Sequence, residues 1–537
     1  MMKQHCIPHL IGKILASRGF MTEKSMMEFL YSSISSLSEP FSIPSIREGC
    51  EILKKSLLNR EKIFIYGDGD TDGICSVYLL LKFFETVSCE VSFRLTHRLD
   101  EDYEIEEDLM DDLARDGYSL LIAVDCGISS LTALRKAEKE GIKCIILDHH
   151  IGDRSRLPES HTYINPWIGT LWSEETRNLS GAAIVFKFVE GMGLLLPGIA
   201  ENDFHNSIEI ACLSILADSL PLTGENRILV KEGLRRLPFT KISALAYLIE
   251  TLDLRTPLNQ KDVAMKIIPR LNSPGRLGKP EVALNFLMQD DYPRIAELKE
   301  EMERMDRKRY HSVVKEMQYL SDRKEDDSGF VISESISPGI CGIIASRLSV
   351  KCNKPFLVGC KSGNLVRGSI RAPRGYDLYE KLKPVGKFMQ SFGGHTGAMG
   401  FKCSELNLAS IRKFWEGVEW KAESSEDYYD CVLELEDLTP ELIGQINEYL
   451  GPFGKGNPEP VFFCREVVVR NITRSSQKEK RSFWVKKKNN IYESFLSEKI
   501  RTMPVNGEMI DILYTPHKKD ARGLYRIYIR IKGFHAS

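Results

Sequence analysis

The chain has 537 residues, of which 42% are hydrophobic and 28% charged, and its formal net charge at pH 7 is −2. This composition excludes a mainly disordered chain, because the apolar content is ample and the net charge is small. The length favours about three or four domains. The sequence has no apolar leader and no run of about 18 apolar residues, and its 13 Cys lie singly, so we expect a cytoplasmic protein without a membrane span.

Short apolar runs alternate with helical patterns along the first part of the chain. Residues 1–45 are predicted to form short helices. Beyond residue 46, helical patterns such as Gly73–Phe84 and Ser129–Glu140 separate apolar runs that end near acidic residues or His, and these runs are Ile63–Tyr66, Val91–Leu95, Leu120–Val124 and Ile142–Leu147. Strands separated by helices of about 10–15 residues predict a parallel, doubly wound α/β sheet.

The pattern changes three times in the second half of the chain. Residues 281–323 are strongly helical and charged, which predicts a long connecting helix, and Lys324–Gly329 is expected to be a domain boundary. A second, Gly-rich α/β pattern runs from Phe330 to about residue 420. Residues 421–429 are typical of a linker, and residues 430–537 are rich in predicted strands separated by Gly and Pro turns.

Acidic and histidine side chains recur where the predicted strands end. They are Asp68, Asp70 and Asp72 in GDGDTDG, Asp125 in VDCG, and Asp148, His149 and His150 in DHH, with Asp218 after an apolar helix. Ligands of parallel sheets bind beyond the carboxyl ends of the strands, so this fold would bring these groups together. Carboxylates at such proximity repel one another unless cations neutralise them. Carboxylates with imidazole favour Mn²⁺ or Mg²⁺, and the lack of clustered Cys argues against structural Zn²⁺.

Each of these motifs also has a simpler structural interpretation. The start of GDGDTDG fits a calcium-binding loop, but its twelfth position is Leu79 instead of Glu and it follows a predicted strand, so we reject that interpretation. Acidic N-caps would explain one Asp of this loop, whereas three favour a metal site. For Asp125 alone, a cap on a helix after Gly127 is equally acceptable. Two adjacent His after an Asp favour a chemical role for these side chains over a structural one.

The C-terminal region is strongly basic. Residues 465–537 contain 17 Lys and Arg against 7 Asp and Glu, a net charge of +10. In Tyr525–Lys532 three Ile on one strand face alternate with residues of the opposite face, which are Arg526, Tyr528, Arg530 and Lys532. A second segment repeats this alternation with Ser482, Trp484, Lys486 and Lys488. Cations interleaved with aromatic rings suit phosphate contacts and base stacking, so nucleic acid is the favoured ligand and a solvated Lys-rich surface the alternative.

The order of GDGDTDG, VDCG, DHH and LADSLPL resembles that of the DHH phosphoesterase superfamily. Within it, the chain is most similar to exonucleases that degrade single-stranded DNA from the 5′ end, through the further segments IPRLNSPGR, PGICGIIASRL, RGSIRAPRGYDL, SFGGHTGAMGF and GPFGKGNPEPVF. The resemblance implies an N-terminal helical segment at 1–45, a catalytic DHH domain at 46–280 and a connecting helix at 281–323. It further implies a smaller α/β DHHA1 substrate-binding domain at 324–425 and an OB-like, nucleic-acid-binding β-barrel at 430–537.

The resemblance also implies roles for individual residues. Two divalent cations, Mn²⁺ or alternatively Mg²⁺, would be bound by Asp70, Asp72, Asp125, His149 and Asp218. His150 would face the scissile phosphate, Asp148 would orient a histidine, and Asp68 would complete the catalytic set. Residues implied in substrate binding are Arg98, Arg270, Asn272, Arg276, Arg347, Arg367, Ser369, Arg371 and His395.

The implied function is two-metal hydrolysis of single-stranded DNA from the 5′ end, releasing 5′-mononucleotides in DNA repair and recombination. We expect a monomer that associates with a helicase and a single-strand-binding protein. A relative that cleaves very short RNAs or bisphosphonucleotides would not need the basic C-terminal module. A pyrophosphatase would need neither a chain of this length nor the GGH motif at Gly393–His395, and a scaffold without catalysis would not need the full set of acids.

Overall fold

The structure, a computed structural model, describes most of the chain. The residues outside the description are 1–6, 98–103, 153, 170–171, 197–206, 255, 323–327, 374, 396, 421–427, 475–480, 498–499, 501, 522–523 and 537. The chain divides into two compact units, one made of Ser36–Ala422 and the other of Met1–Ser35 together with Glu423–Ser537. Among the described residues, no helix combines the length and apolar character that crossing a bilayer requires.

A five-stranded, fully parallel sheet forms the first part of Ser36–Ala422. Its strands are β1 (Lys62–Gly67), β2 (Ser92–Leu95), β3 (Tyr118–Val124), β4 (Lys143–Leu147) and β5 (Thr162–Ile164). Their order is β2-β1-β3-β4-β5, which is a doubly wound arrangement. The apolar runs of the sequence predicted the first four strands correctly, whereas β5 was not predicted because three residues are too short to show a pattern.

Helices connect these strands and continue after them. Those of the sheet region are Ile46–Leu58, Thr71–Thr86, Glu107–Arg115, Leu131–Lys139, Gly181–Leu195, Ile208–Ala217, Gly224–Arg236 and Ser243–Thr251. The next helical stretch contains a π-helical turn at Val263–Ile267, followed directly by the helix Ile268–Arg276. Pro280–Met288 and the 31-residue helix Tyr292–Asp322 then lead away from the sheet, which confirms the predicted long helix, with a break at residues 289–291.

The second α/β region is built on a mixed five-stranded sheet. Its strands are β6 (Phe330–Ser333), β7 (Phe356–Ser362), β8 (Leu365–Arg371), β9 (Ser391–His395) and β10 (Ala398–Ser404), in the order β6-β7-β8-β10-β9. Only the β6–β7 pair is parallel. The helices of this region are Pro338–Cys352, Leu378–Leu382 and Leu408–Gly417. The smaller α/β region predicted from the sequence is therefore confirmed.

The last strands close into a barrel. They are β11 (Cys431–Val432), β12 (Phe462–Arg474), β13 (Arg481–Lys487), β14 (Asn490–Leu496), β15 (Met509–Ala521) and β16 (Leu524–Ala536). Five of them form the closed circuit β12-β13-β14-β16-β15-β12, in which only β14–β16 is parallel. Ile529 and Ile531 are fully buried inside, as their alternation predicted. This circuit confirms the OB-like barrel.

Three helices complete the core of the barrel unit. They are His9–Ser17, Glu23–Tyr31 and Pro440–Leu450, and Ile14 and Leu15 of the first helix are fully buried in the same apolar cluster as Ile529 and Ile531. Arg18, just after that helix, lies with its Nε 2.6 Å from the buried carboxylate of Asp430. The helices His9–Ser17 and Glu23–Tyr31 therefore belong to the folded unit of the barrel, a long-range pairing that no sequence pattern predicted.

Candidate metal centre

The loops after β1, β3 and β4 meet where the strand order of the parallel sheet reverses. β1 lies between β2 and β3. The chain therefore adds β2 on one side of β1 and β3, β4 and β5 on the other side. Crevices of this kind are the usual ligand sites of doubly wound sheets. The loop after β1, residues 68–73, is called the acidic loop below. The next two loops carry Asp125 and the Asp148–His150 motif.

Seven acidic or histidine side chains converge at this crevice. A four-residue cluster is formed by Asp72, Asp125, His149 and Asp218, whose candidate ligand atoms all lie within 4.8 Å of one another. The Nε2 atom of His149 is 3.2 Å from Asp125 Oδ1, 3.4 Å from Asp218 Oδ2 and 3.8 Å from Asp72 Oδ2. A second, three-carboxylate cluster consists of Asp68, Asp70 and Asp125. A third grouping adds His150 to Asp125 and His149.

Asp125 belongs to both main clusters, and its environment tests whether they suit a cation. Its side chain is buried, and its Oδ1 atom accepts no hydrogen bond from the described part of the chain. Burial, followed by the charges of Asp72 and Asp70, raises the pKa of Asp125 well above its usual value. A buried anion among like charges is costly unless a cation lies beside it. The donor set, carboxylate oxygens with one imidazole nitrogen, therefore fits a divalent ion such as Mn²⁺ or Mg²⁺.

Asp72 is held from three directions. Its Oδ2 accepts the backbone N–H of Gly181 at 2.9 Å, and its Oδ1 accepts the N–H of Ala182 and the hydroxyl of Ser214, both at 2.7 Å. The two N–H groups belong to the first turn of Gly181–Leu195, where the helix dipole favours an anion. Burial and the charge of Asp70 raise the pKa of Asp72 to about 6, although these hydrogen bonds oppose the shift.

The other acids of the acidic loop have local partners. Asp68 Oδ1 accepts hydrogen bonds from the Gly69 N–H at 2.6 Å and the Thr96 hydroxyl at 2.7 Å. Asp70 Oδ1 accepts the N–H groups of Asp72 and Gly73 and so caps the helix Thr71–Thr86. Capping therefore applies to Asp70 without excluding a ligand role, because a carboxylate has a second oxygen.

Asp125 does not cap a helix. The helix of that loop begins at Leu131, with Ser130 at its N-cap position. Asp125 itself has a left-handed backbone with φ of +57°, which is uncommon for a residue other than glycine and typical of functional sites. A side chain added at Gly181 would lie 2.8 Å from the Cβ of Asp125, so the helix behind the site needs glycine there.

The DHH motif provides an ion pair at the open side of the crevice. His150 Nδ1 is 2.8 Å from Asp148 Oδ1, which also accepts the backbone N–H of His150. Burial would lower the pKa of His150, but the charge and hydrogen bond of Asp148 outweigh it and raise the pKa to about 9. Burial would raise the pKa of Asp148, but the charge and hydrogen bonds of His150 outweigh burial and keep that pKa below its usual value. The His150 side chain remains 41% exposed and is positioned to meet an anion.

Two residues after β5 support this motif and were not predicted. Asn165 donates its side-chain N–H to the carbonyl oxygen of His150 at 2.9 Å, and the indole N–H of Trp167 donates to the carbonyl of His149 at 3.0 Å. Asn165 follows a strand end, as the acids do, so its position in TYINPW was the available signal. Thr96 directly follows the end of β2 and therefore carried the same signal, whereas Ser214, inside the helix Ile208–Ala217, had none because its contact depends on tertiary packing.

The substrate-binding residues predicted in IPRLNSPGR make contacts within the protein. Asn272 Oδ1 accepts the backbone N–H of Thr71 at 2.9 Å, which ties this helix to the acidic loop. Arg270 Nε lies 3.4 Å from Glu303, and Arg276 donates to the carbonyl of Gly339 at 3.3 Å. Arg98, predicted to contact the 5′ end, lies outside the described residues.

The second sheet presents a polar face made of alternate residues of β8. Arg367, Ser369 and Arg371 occupy this face, and cross-strand register places Lys402 of β10 opposite Arg367. Ser369 donates to the carbonyl of Met399 at 3.0 Å, and Arg371 lies 3.3 Å from the same oxygen. Arg347 is exposed on the helix Pro338–Cys352. His395 pairs with Ala398 in register, and its side chain lies outside the described part.

The barrel carries the predicted aromatic and cationic residues on one outer face, defined by Trp484, Arg526, Tyr528 and Arg530. Trp484 of β13 and Tyr528 of β16 both face Glu493 of the strand between them. The guanidinium of Arg526 lies 5.4 Å from the Trp484 ring centroid, and Tyr528 stacks on His517 at 5.1 Å. Arg530 is exposed. Pre-arranged rings beside cations suit stacked bases and phosphates.

Three family models match the chain in succession. They are the DHH family, N-terminal domain, over residues 62–217, the DHHA1 domain over residues 326–419 and the RecJ OB domain over residues 429–533. The chain is 29% identical over 485 residues to the single-stranded-DNA-specific exonuclease RecJ of Bacillus subtilis. It is 28% identical over 433 residues to the enzyme of the same name from Thermus thermophilus.

Each of these matches covers a larger share of this chain than of the relative. They include 88% and 78% of this chain but only 60% and 61% of the Bacillus and Thermus proteins, so the chain spans about three fifths of the length of these curated relatives. A crystal structure of RecJ from Thermus thermophilus in complex with Mn²⁺ superposes with a TM-score of 0.80 at 22% identity. That superposition covers 98% of this chain and 76% of the other, and it shows a shared fold.

Proposed function

We propose a function for this chain on the premise that it belongs to the RecJ family of DHH phosphoesterases. The function is hydrolysis of single-stranded DNA from the 5′ end, with release of 5′-mononucleotides, in DNA repair and recombination. The observation that carries it is the pair of clusters that share Asp125, one with Asp72, His149 and Asp218 and the other with Asp68 and Asp70. Two adjoining divalent-ion sites are the typical apparatus for cleaving a phosphodiester.

The residues divide the work of such a reaction. We assign Asp68 to the ligands, together with Asp70, Asp72, Asp125, His149 and Asp218, because its carboxylate belongs to the three-carboxylate cluster. Bound divalent ions, with Mn²⁺ the proposed species, would activate a water and neutralise charge on the departing oxygen. His150, positively charged beside Asp148, would donate a hydrogen bond to a phosphate oxygen. Asp148 keeps that imidazole oriented and protonated.

Binding of the strand is proposed for two surfaces. Arg367 and Arg371, on the polar face of β8, would contact phosphates next to the reacting one. Trp484 and Tyr528, on the outer barrel face, would stack bases without reading their sequence. A monomeric state, a cytoplasmic location and association with a helicase and a single-strand-binding protein remain predictions.

A substrate panel with purified protein and Mn²⁺ tests the proposal. We expect 5′-mononucleotides from single-stranded DNA labelled at the 5′ end, little cleavage of blunt duplex, and slow turnover of dinucleotides and pyrophosphate. Products that appear first from a 3′ label would refute the proposed direction. Preferred cleavage of dinucleotides would favour the short-RNA alternative, and binding of the strand without cleavage in Mn²⁺ or Mg²⁺ would favour a scaffold.

A further inference from the structure

We propose that Ser273, Asp306 and Arg309 act together as positioning residues for the acidic loop. Asp306 and Arg309 belong to the long helix Tyr292–Asp322, and Ser273 to the helix Ile268–Arg276. None of the three is a candidate ligand or strand contact. The inference rests on the proposed metal centre, and it adds a role for the connecting helix in shaping that centre.

The three side chains form one junction between the two helices, in which Ser273 is buried while Asp306 and Arg309 are partly exposed. Ser273 is fully buried, and its hydroxyl lies 2.8 Å from Asp306 Oδ1. Arg309 Nη2 is 2.7 Å from the same carboxylate oxygen, and Arg309 Nε donates to the Ser273 hydroxyl at 3.1 Å. Each member therefore contacts both others. An ion pair that also holds a buried hydroxyl fixes geometry better than an exposed pair, because all three groups are constrained together.

The residues on either side of Ser273 connect this junction to the acidic loop. Asn272 Oδ1 accepts the backbone N–H of Thr71, the first residue of the helix that Asp70 caps. Gly275 packs so closely that a Cβ there would lie 1.8 Å from the carbonyl oxygen of Gly69. Ser273 thus stands between two direct contacts with the loop, and a shift of its helix would move Asp70 and Asp72.

The same helix also contacts the second α/β region. Arg276 donates to the carbonyl of Gly339, and a Cβ at Gly339 would lie 2.0 Å from the carbonyl oxygen of Arg276. Gly339 lies in the first turn of Pro338–Cys352, the helix beside Ser369 and Arg371. The junction therefore holds the loop of the metal centre and the polar face of β8 at a fixed spacing through one short helix.

The decisive variant is Ser273→Ala, which removes the hydroxyl and leaves Asp306 and Arg309 paired with each other. We expect amide hydrogen exchange in residues 69–73 to become about five-fold faster, because the hold on Asn272 is loosened. We also expect Mn²⁺ affinity, measured calorimetrically, to fall by about ten-fold, as for other groups that orient ligands. On single-stranded DNA, kcat should fall while KM stays unchanged.

Matched controls separate positioning from general stability. Ser56→Ala removes another buried hydroxyl. This hydroxyl donates to Glu61 at a distance of 2.6 Å and lies outside the acidic loop. Arg309→Gln is the second test variant, and Arg294→Gln is its control. Arg294 makes an (i, i+3) ion pair with Glu297 on the same long helix. Asp306→Asn retains an acceptor oxygen for both Ser273 and Arg309 and should leave exchange rates within about two-fold of the parent chain.

Exchange and Mn²⁺ affinity within about two-fold of the parent in both Ser273→Ala and Arg309→Gln would overturn the inference. An exchange increase spread evenly over the sheet, as a purely structural role predicts, would overturn it too. The exchange measurement needs neither metal nor substrate. A parent chain that bound Mn²⁺ but cleaved no DNA would therefore refute the proposed function, while the exchange data would still decide the role of Ser273.

Discussion

The metal centre and the outer barrel face are built in opposite ways. At the metal centre, acids from loops far apart in sequence are buried together, and Asp72 and Asp125 are almost without solvent exposure. On the barrel, Trp484, Arg526 and Arg530 extend from neighbouring strands towards solvent. The first site concentrates charge at a cost in stability, since like charges are desolvated together. The second keeps its charges hydrated, so substitutions there should affect binding and leave the fold unchanged.

The strongest test of this contrast is Asp125→Asn. We expect hydrolysis to fall by about 1,000-fold or more, because the only carboxylate shared by both clusters in the described chain is lost. Without metal, the Tm should stay the same or rise, since a neutral amide removes repulsion. Asp112→Asn, at an exposed position of the helix Glu107–Arg115, is the control. Near-normal turnover of the Asp125 variant would refute the assigned centre.

The pH dependence of stability tests the cost of the buried acids. The pKa of Asp72 is raised from 3.8 to about 6, so the folded metal-free protein binds a proton more tightly than the unfolded chain. This contribution to stability is complete below pH 4 and is lost as the pH rises through about 6, of order 3 kcal/mol in total. In chelator, the Tm should therefore drop by a few degrees between pH 5 and pH 8.

Divalent ions should reverse that loss. We expect Mn²⁺ to raise the Tm more at pH 8 than at pH 5, because ions compete with protons for the same carboxylates. The Asp125→Asn variant should show a smaller pH effect, since the repulsion is partly relieved. A larger Mn²⁺ effect at pH 5 than at pH 8 would contradict the assignment.

Substitutions on the outer barrel face should act through binding alone. Trp484→Ala should weaken affinity for single-stranded DNA by about ten-fold, as expected for the loss of one stacked base. Arg526→Gln should reduce the salt dependence of binding by about one phosphate contact. Tyr429→Ala, which removes an exposed ring stacked on Phe463, is the control. Unchanged affinity in both test variants would exclude this face as the DNA surface.

The smallest expected effect concerns Trp167, which contacts the metal centre like a buried residue but is itself partly exposed like the residues of the outer barrel face. Its indole N–H donates to the carbonyl of His149 while the residue is 46% exposed. Trp167→Phe removes this hydrogen bond, worth about 1 kcal/mol, so kcat should fall by about five-fold with little change in Tm. A fall in Tm without a change in kcat would show that the contact serves only the fold.

The sequence predicted most of the metal centre because its residues follow strand ends. Asp68, Asp125 and Asp148 each directly follow the last residue of a strand, His149 comes one residue later, and a parallel sheet places all such ends at one edge. Ser214 carries no such mark, because a hydroxyl within an apolar helix looks the same whether or not it bonds to a carboxylate, whereas Thr96 directly follows β2 and was not predicted although it carries the mark. The role of Asn272 as a substrate contact stays a prediction, and the structure adds that its Oδ1 accepts the backbone N–H of Thr71.

Local pattern alone therefore determined the first four strands of the parallel sheet, where the acids follow them and which barrel residues alternate, since hydrophobic periodicity and strand polarity are properties of neighbouring residues. Tertiary structure decided that Asp125 is shared by two clusters, that residues 1–35 complete the core of the barrel unit, and that Ser273 meets Asp306 and Arg309. These contacts join residues separated by tens to hundreds of positions, and only packing, which has no periodic trace in the sequence, brings them together.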